Sequence, residues 1–153
     1  MLDTNVALDM FHFDDAVTRP LARALEAGLI RCAASPATLA EWRRVLAYPE
    51  FGLDAVAQAA MDARYTACVS LVSEPGAGMG LPRCRDADDQ KFLELAASIP
   101  AEALVSKDRA LLDLHRRHLP FAILSPLEAA ARWEKSARAD QPRHLKSPVG
   151  GTI

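Results

Sequence analysis

Asp3, Glu41, the cluster Asp86-Ala87-Asp88-Asp89 and Asp108 lie far apart along the chain, yet each falls near the expected start or end of a strand or helix. Carboxylates brought to one point repel strongly unless a cation holds them. These are hard oxygen donors with no matching His or Cys set, which points to Mg²⁺ or Mn²⁺ rather than zinc. Sites of that kind mostly carry out phosphodiester or phosphoryl chemistry. Each residue taken alone also has a plainer reading. Asp3, Asp86, Asp88 and Asp108 could each cap a helix. Glu41 resists that reading, because it precedes Trp42 on a helix expected to be well covered, and a buried Glu needs a partner.

The elements that must position these residues can be read from apolar spacing and punctuation. Asn5 to Phe11 has helical spacing, and Asp14-Asp15 should open a second helix that runs to Ala27 and stops at Gly28. Leu29 to Ala33 reads as a buried strand, followed by a helix with Ser35 as N-cap and Pro36 in its first position, ending before Pro49. A longer helix spans Leu53 to about Thr66. Val69, Leu71 and Val72 either extend it or form a short extended piece, and Glu74 to Gly80 is loop by composition.

A helix over Asp86 to Ser98, a strand over Ala103 to Ser106 and a brief helix from Asp108 to Leu114 follow. A last strand over Phe121 to Leu124 precedes a closing helix from Ser125-Pro126 to Trp133. Short apolar strands alternating with helices predict an α/β fold, a small parallel sheet covered on both faces. Ligands then bind beyond the strand carboxyl ends, where Asp3, Ser35 and Ser106 to Asp108 would meet. Only Met1 and Leu2 precede Asp3, so the first strand either starts upstream or is very short.

The chain has 153 residues and a formal net charge of −2, one domain with no global basic excess. Nucleic-acid binding would therefore rest on local basic residues near the acidic ones. Cys32, Cys68 and Cys84 lack metal-type spacing and read as reduced, mostly buried thiols, which suits a cytoplasmic protein. Cys84 lacks a base that would make it a nucleophile. His12, His115 and His118 read as surface residues. The apolar start is broken by Asp3, Asp9 and Asp14, unlike a signal peptide, and no apolar run is long enough to cross a bilayer. Beyond about Ala137 the chain, His144 included, is polar and carries Pro and Gly, so residues 138–153 read as a flexible tail.

Four segments share one order and spacing: Leu2-Asp3-Thr4-Asn5-Val6, Ser35 to Glu41, Cys84 to Leu93, and Leu104 to Leu112. Together they resemble the PIN-domain nucleases, closest to the toxin components of toxin–antitoxin pairs, over Met1 to about Leu127. The resemblance implies a PIN-like sheet between helices over residues 1–137, its first strand truncated or very short. It implies Mg²⁺ or Mn²⁺ ligands at Asp3, Glu41, Asp89 and Asp108, with Asn5 and Ser106 as polar supports. Gln90 interrupts an acidic run that many relatives carry unbroken. Spacing from Phe92 and Leu93 favours Asp89 as the third ligand, with Asp86 a second acidic contributor and Asp88 solvated or capping.

The resemblance also implies RNA, single-stranded, as substrate, with a cognate antitoxin and a second copy of the chain as further partners. Arg43, Arg85, Lys107 and Arg109 would draw the phosphate backbone towards the acidic pocket. The residues alone do not distinguish RNA from DNA. Two rivals stand beside this endoribonuclease reading. One is a catalytically weak or inactive PIN module that binds RNA or a protein, which Gln90 favours. The other is an aspartyl-nucleophile phosphatase, disfavoured because Asn5 stands where its second Asp belongs.

Overall fold

The structure is a computed structural model that describes residues 1–76 and 80–139. Helix α1 (Thr4–Phe11) starts directly after Asp3, and α2 (Arg19–Glu26) follows. The second helix begins later than Asp14 for a local reason. Asp14 takes a left-handed φ of 47°, and the Asp15 carboxylate accepts from the Val17 N–H at 2.9 Å, closing a turn before Pro20 can start a helix. Gly28 ends α2 at a φ of 70°, and the chain wraps back so that Leu29 and Ile30 donate to the Ala24 carbonyl. That wrap consumes the start of the expected strand, so β1 covers only Cys32–Ala34.

Ser35 then caps α3 (Pro36–Leu46) with a reciprocal pair. Its hydroxyl accepts from the Thr38 N–H at 3.3 Å, and the Thr38 hydroxyl accepts from the Ser35 N–H at 2.9 Å. A short 3₁₀ turn, Pro49–Phe51, and Gly52 at a φ of 61° lead to α4 (Ala55–Thr66), capped by Asp54. Val69–Leu71 is extended and forms β2. The acidic cluster opens with a 3₁₀ turn, Ala87–Asp89, before α5 (Gln90–Ser98). Strand β3 (Ala103–Val105), helix α6 (Arg109–Leu112) with a 3₁₀ turn to Arg116, and β4 (Ala122–Leu124) complete the sheet region.

The last helix, α7 (Pro126–Ala139), runs past the expected end at Trp133. Its continuation is made of good helix formers, with Glu134 and Arg138 paired one turn apart at 3.7 Å. The boundary placed at Ala137 therefore falls within a helix, and residues 140–153 of the expected tail lie outside the described residues.

All strand pairing is parallel. β1 pairs with β2, and β3 pairs with β4. Ahead of Asp3 a single parallel bridge joins Leu2 to Val105, with the Asp3 N–H donating to the Val105 carbonyl at 3.0 Å. Met1, Leu2 and β1 border a groove of about 820 Å³ rather than a ladder. Alternation along β3 places Leu104 on one face, against Phe92, Leu93 and Leu111, and Val105 on the other, among Val6, Trp42 and Ala130. Helices thus cover both faces, the arrangement a short parallel sheet requires.

Candidate metal centre

Asp3 leaves the sheet at the end of the Leu2 bridge and serves as the backbone N-cap of α1. Its carboxylate makes no capping bond, which frees it for the pocket. It is instead bound by Ser106, whose hydroxyl donates to Asp3 Oδ2 at 2.6 Å and accepts from the Asp108 N–H at 2.9 Å. Ser106 is fully buried at the end of β3, so one hydroxyl fixes two acidic residues from separate segments. Burial pushes the Asp3 carboxyl above its ordinary range, with smaller upward contributions from Glu41 and Asp108, while the bond from Ser106 pulls it down.

Asp89 is the most perturbed group of the pocket. It follows the 3₁₀ turn of Asp86, which holds the Asp88 N–H at 2.9 Å, and it is 9% exposed. Its Oδ2 is buried without a hydrogen-bond partner. Loss of solvent, then repulsion from Asp3, Asp108, Asp86 and Glu41, raises its carboxyl to about 7. Of the five acidic residues expected at the site, three form one cluster, and Asp3 and Glu41 lie near enough to add to the repulsion on Asp89. Carboxylate oxygens of Asp86, Asp89 and Asp108 lie within 4.8 Å of one another. No Lys or Arg pairs with these three among the described residues.

Asp86 and Asp108 also act as caps, so the plainer reading holds in part. Asp108 Oδ1 accepts from the Ala110 N–H at 2.7 Å, and Asp86 Oδ1 from the Asp88 N–H. Asp89 has no such bond, and capping cannot account for a buried, unpartnered carboxylate oxygen. A hard divalent cation would satisfy it, and three convergent carboxylates are a donor set such ions accept. The residues present fit a divalent cation.

Glu41 faces the same pocket from α3, but both its oxygens are engaged. Thr4 Oγ1 donates to Oε1 at 2.8 Å, and the Lys91 ammonium pairs with Oε2. Thr4 and Lys91 are the two contributors that reading the sequence missed. Both lie inside the four matched segments, and Lys91 is the basic residue nearest the acidic cluster on its helix. Asn5 is exposed, its backbone close enough to lower the Asp3 carboxyl. Gln90 has a structural role, since its side-chain carbonyl accepts from the Cys84 N–H at 2.7 Å and braces the loop onto α5.

The basic residues are placed less uniformly. Arg43 turns to Asp62 of α4 at 3.0 Å, because it stands two residues, about 200°, round the helix from Glu41. Arg44, three residues on, is the arginine beside Glu41, at 4.0 Å. Arg85 pairs with Asp113 at 3.5 Å, Lys107 pairs with Asp9 at 2.7 Å, and Arg109 is exposed. Lys107 and Arg109 flank Asp108 in sequence. No described histidine or cysteine joins the carboxylates. Cys84 is buried, its thiol pushed up by burial and directed to the Ala110 carbonyl, as an inert packing residue would be.

No described helix is long and apolar enough to cross a membrane. No curated protein and no solved structure matches the chain. The family model of the PIN domain matches residues 1–110, a span that takes in Asp3, Glu41, Asp86, Asp89 and Asp108 and every strand but the last. With short parallel strands in two small sheets among helices and an acidic cluster beside them, the chain belongs to the PIN domain family, a family of nuclease-type fold.

Proposed function

We propose that the protein is a divalent-metal-dependent endoribonuclease that hydrolyses single-stranded RNA. The single observation that carries this reading is the buried, unpartnered Asp89 oxygen facing Asp86 and Asp108. These three would hold Mg²⁺ or Mn²⁺, with Asp3, fixed by Ser106, and Glu41 near enough to add to the repulsion on Asp89. Bound there, the cation supplies Lewis-acid activation of water and counter-charge for the phosphate.

The protein's own residues do the rest. The carboxylates orient the attacking water by accepting its hydrogens. Ser106 keeps Asp3 from rotating away, and the caps made by Asp86 and Asp108 fix their rotamers. Arg109, exposed beside Asp108, would offer positive charge to a phosphate backbone, and Lys107 would do so only by leaving Asp9. Water would attack phosphorus and pass a proton to a pocket carboxylate. The bond to the leaving oxygen would break, that oxygen would take up a proton from solvent, and no bond to a protein atom would form.

RNA rather than DNA, and an antitoxin as partner, follow the family resemblance alone. The rival reading, an inactive module that binds RNA or a protein, drew on Gln90, whose side chain here braces the loop at Cys84. The test is cleavage of a fluorescent single-stranded RNA by purified protein. Cleavage with Mg²⁺ or Mn²⁺ that stops on adding EDTA is expected. Cleavage indifferent to EDTA would contradict the reading.

A further inference from the structure

The pocket already holds one cation of its own. Lys91, in the first turn of α5, points its ammonium at Glu41 Oε2 and also donates to the Asp88 carbonyl at 2.7 Å. It is no loose surface pair, since its side chain is 25% exposed and that of Glu41 14%. The ammonium lies 5.4 Å from the centroid of the Phe92 ring, which adds a third attraction. Apart from Asp3, which Ser106 holds, the acidic residues thus fall into two groups. Glu41 is neutralised by Lys91 and tied by Thr4, while Asp86, Asp89 and Asp108 have no basic partner among the described residues.

We infer that Lys91 stands in for a second metal ion, so that the pocket takes one divalent cation, on the side of Asp86, Asp89 and Asp108. This rests on the metal-dependent reading above and adds its stoichiometry. A second divalent ion beside Glu41 would have to displace an ammonium with three favourable contacts, or accept its repulsion at close range. Lys91 is therefore a positioning residue. It holds Glu41 against Thr4 and sets where the cation can settle.

Titration of Mn²⁺ into the full chain, followed by the free-ion electron paramagnetic resonance signal, counts the ions directly. Wild type should take up one equivalent. Lys91→Met, which keeps the stem and removes the charge, should take up a second at Glu41, and Lys91→Arg should return the count to one. A purely structural ion pair would lower the melting temperature of Lys91→Met without moving the count. Two equivalents in the wild type, or one in a folded Lys91→Met, would overturn the proposal while leaving the metal-dependent reading standing. No Mn²⁺ uptake by the wild type would overturn both. Should Lys91→Met not fold, the wild-type count, with Lys91→Gln as the second variant, still decides.

Discussion

Asp89→Asn should lower RNA cleavage by at least about a hundredfold while leaving the domain folded. That size follows from the loss expected when even an outer partner of a metal site is removed. Asn keeps the volume and one oxygen, so helix α5 keeps its start and its packing of Phe92 and Leu93. What goes is the negative charge on a carboxylate whose buried oxygen no described protein group satisfies. Asp108→Asn should lose a comparable factor, and its capping oxygen can still accept from Ala110. Arg43→Ala, whose guanidinium faces Asp62, should change cleavage by less than about threefold. Initial rates at fixed Mg²⁺, with circular dichroism to verify folding, separate these cases. An active Asp89→Asn would remove this residue from the site.

The second large effect is on stability without metal, and it depends on pH. Asp89 has an unfolded value near 3.8 and a folded value of about 7. Between those limits the folded protein holds a proton that the unfolded chain has released, so stability falls as pH rises from about 4 to about 7. Above that range the fold carries a charged, crowded carboxylate and the loss is complete. Asp3, also raised, adds to the same slope. Asp89→Asn should flatten the curve. At pH 8 the metal-free variant should be more stable than the wild type by about 1–2 kcal/mol, because solvent at the pocket mouth screens part of the repulsion. Near pH 4 the two should converge. Urea denaturation in EDTA across that range reads the difference, and parallel curves would contradict the crowding of charge.

Much of this was legible in the sequence because the residues involved obey local rules. Ser35 and Pro36 announce the start of α3, and the Asp-rich turn announces α5. Alternation of small apolar strands with helices led to the parallel sheet. Strand carboxyl ends led to Asp3 and Asp108 at one rim with Glu41 reaching back over it, whereas Asp86 and Asp89 were expected there from the family resemblance. Long-range partners were harder to see. Nothing local indicates that Thr4 reaches Glu41 or that Lys91 crosses to it, since those pairs exist only once α1, α3 and α5 are packed together.

Helical period, in contrast, was available and places Arg44 rather than Arg43 beside Glu41. Asp14 and Asp15 looked like a helix start because an Asp cap and an Asp turn use the same side-chain chemistry, and only the left-handed backbone at Asp14 tells them apart. The extent of β1 was similarly shifted by the wrap of Gly28 and Leu29 onto α2, a tertiary closure that outweighs the β-propensity of Leu29 and Ile30.

The measurement that bears most directly on metal binding by these carboxylates is thermal melting of wild type and Asp89→Asn at pH 8, each with EDTA and with Mg²⁺. A cation that binds only the folded pocket must raise the wild-type melting temperature as its concentration rises. That rise is expected, together with a metal-free Asp89→Asn that melts at or above the metal-free wild type and responds little to Mg²⁺. A wild type that ignores Mg²⁺, together with a destabilised Asp89→Asn, would mean that these carboxylates start helices and hold no metal.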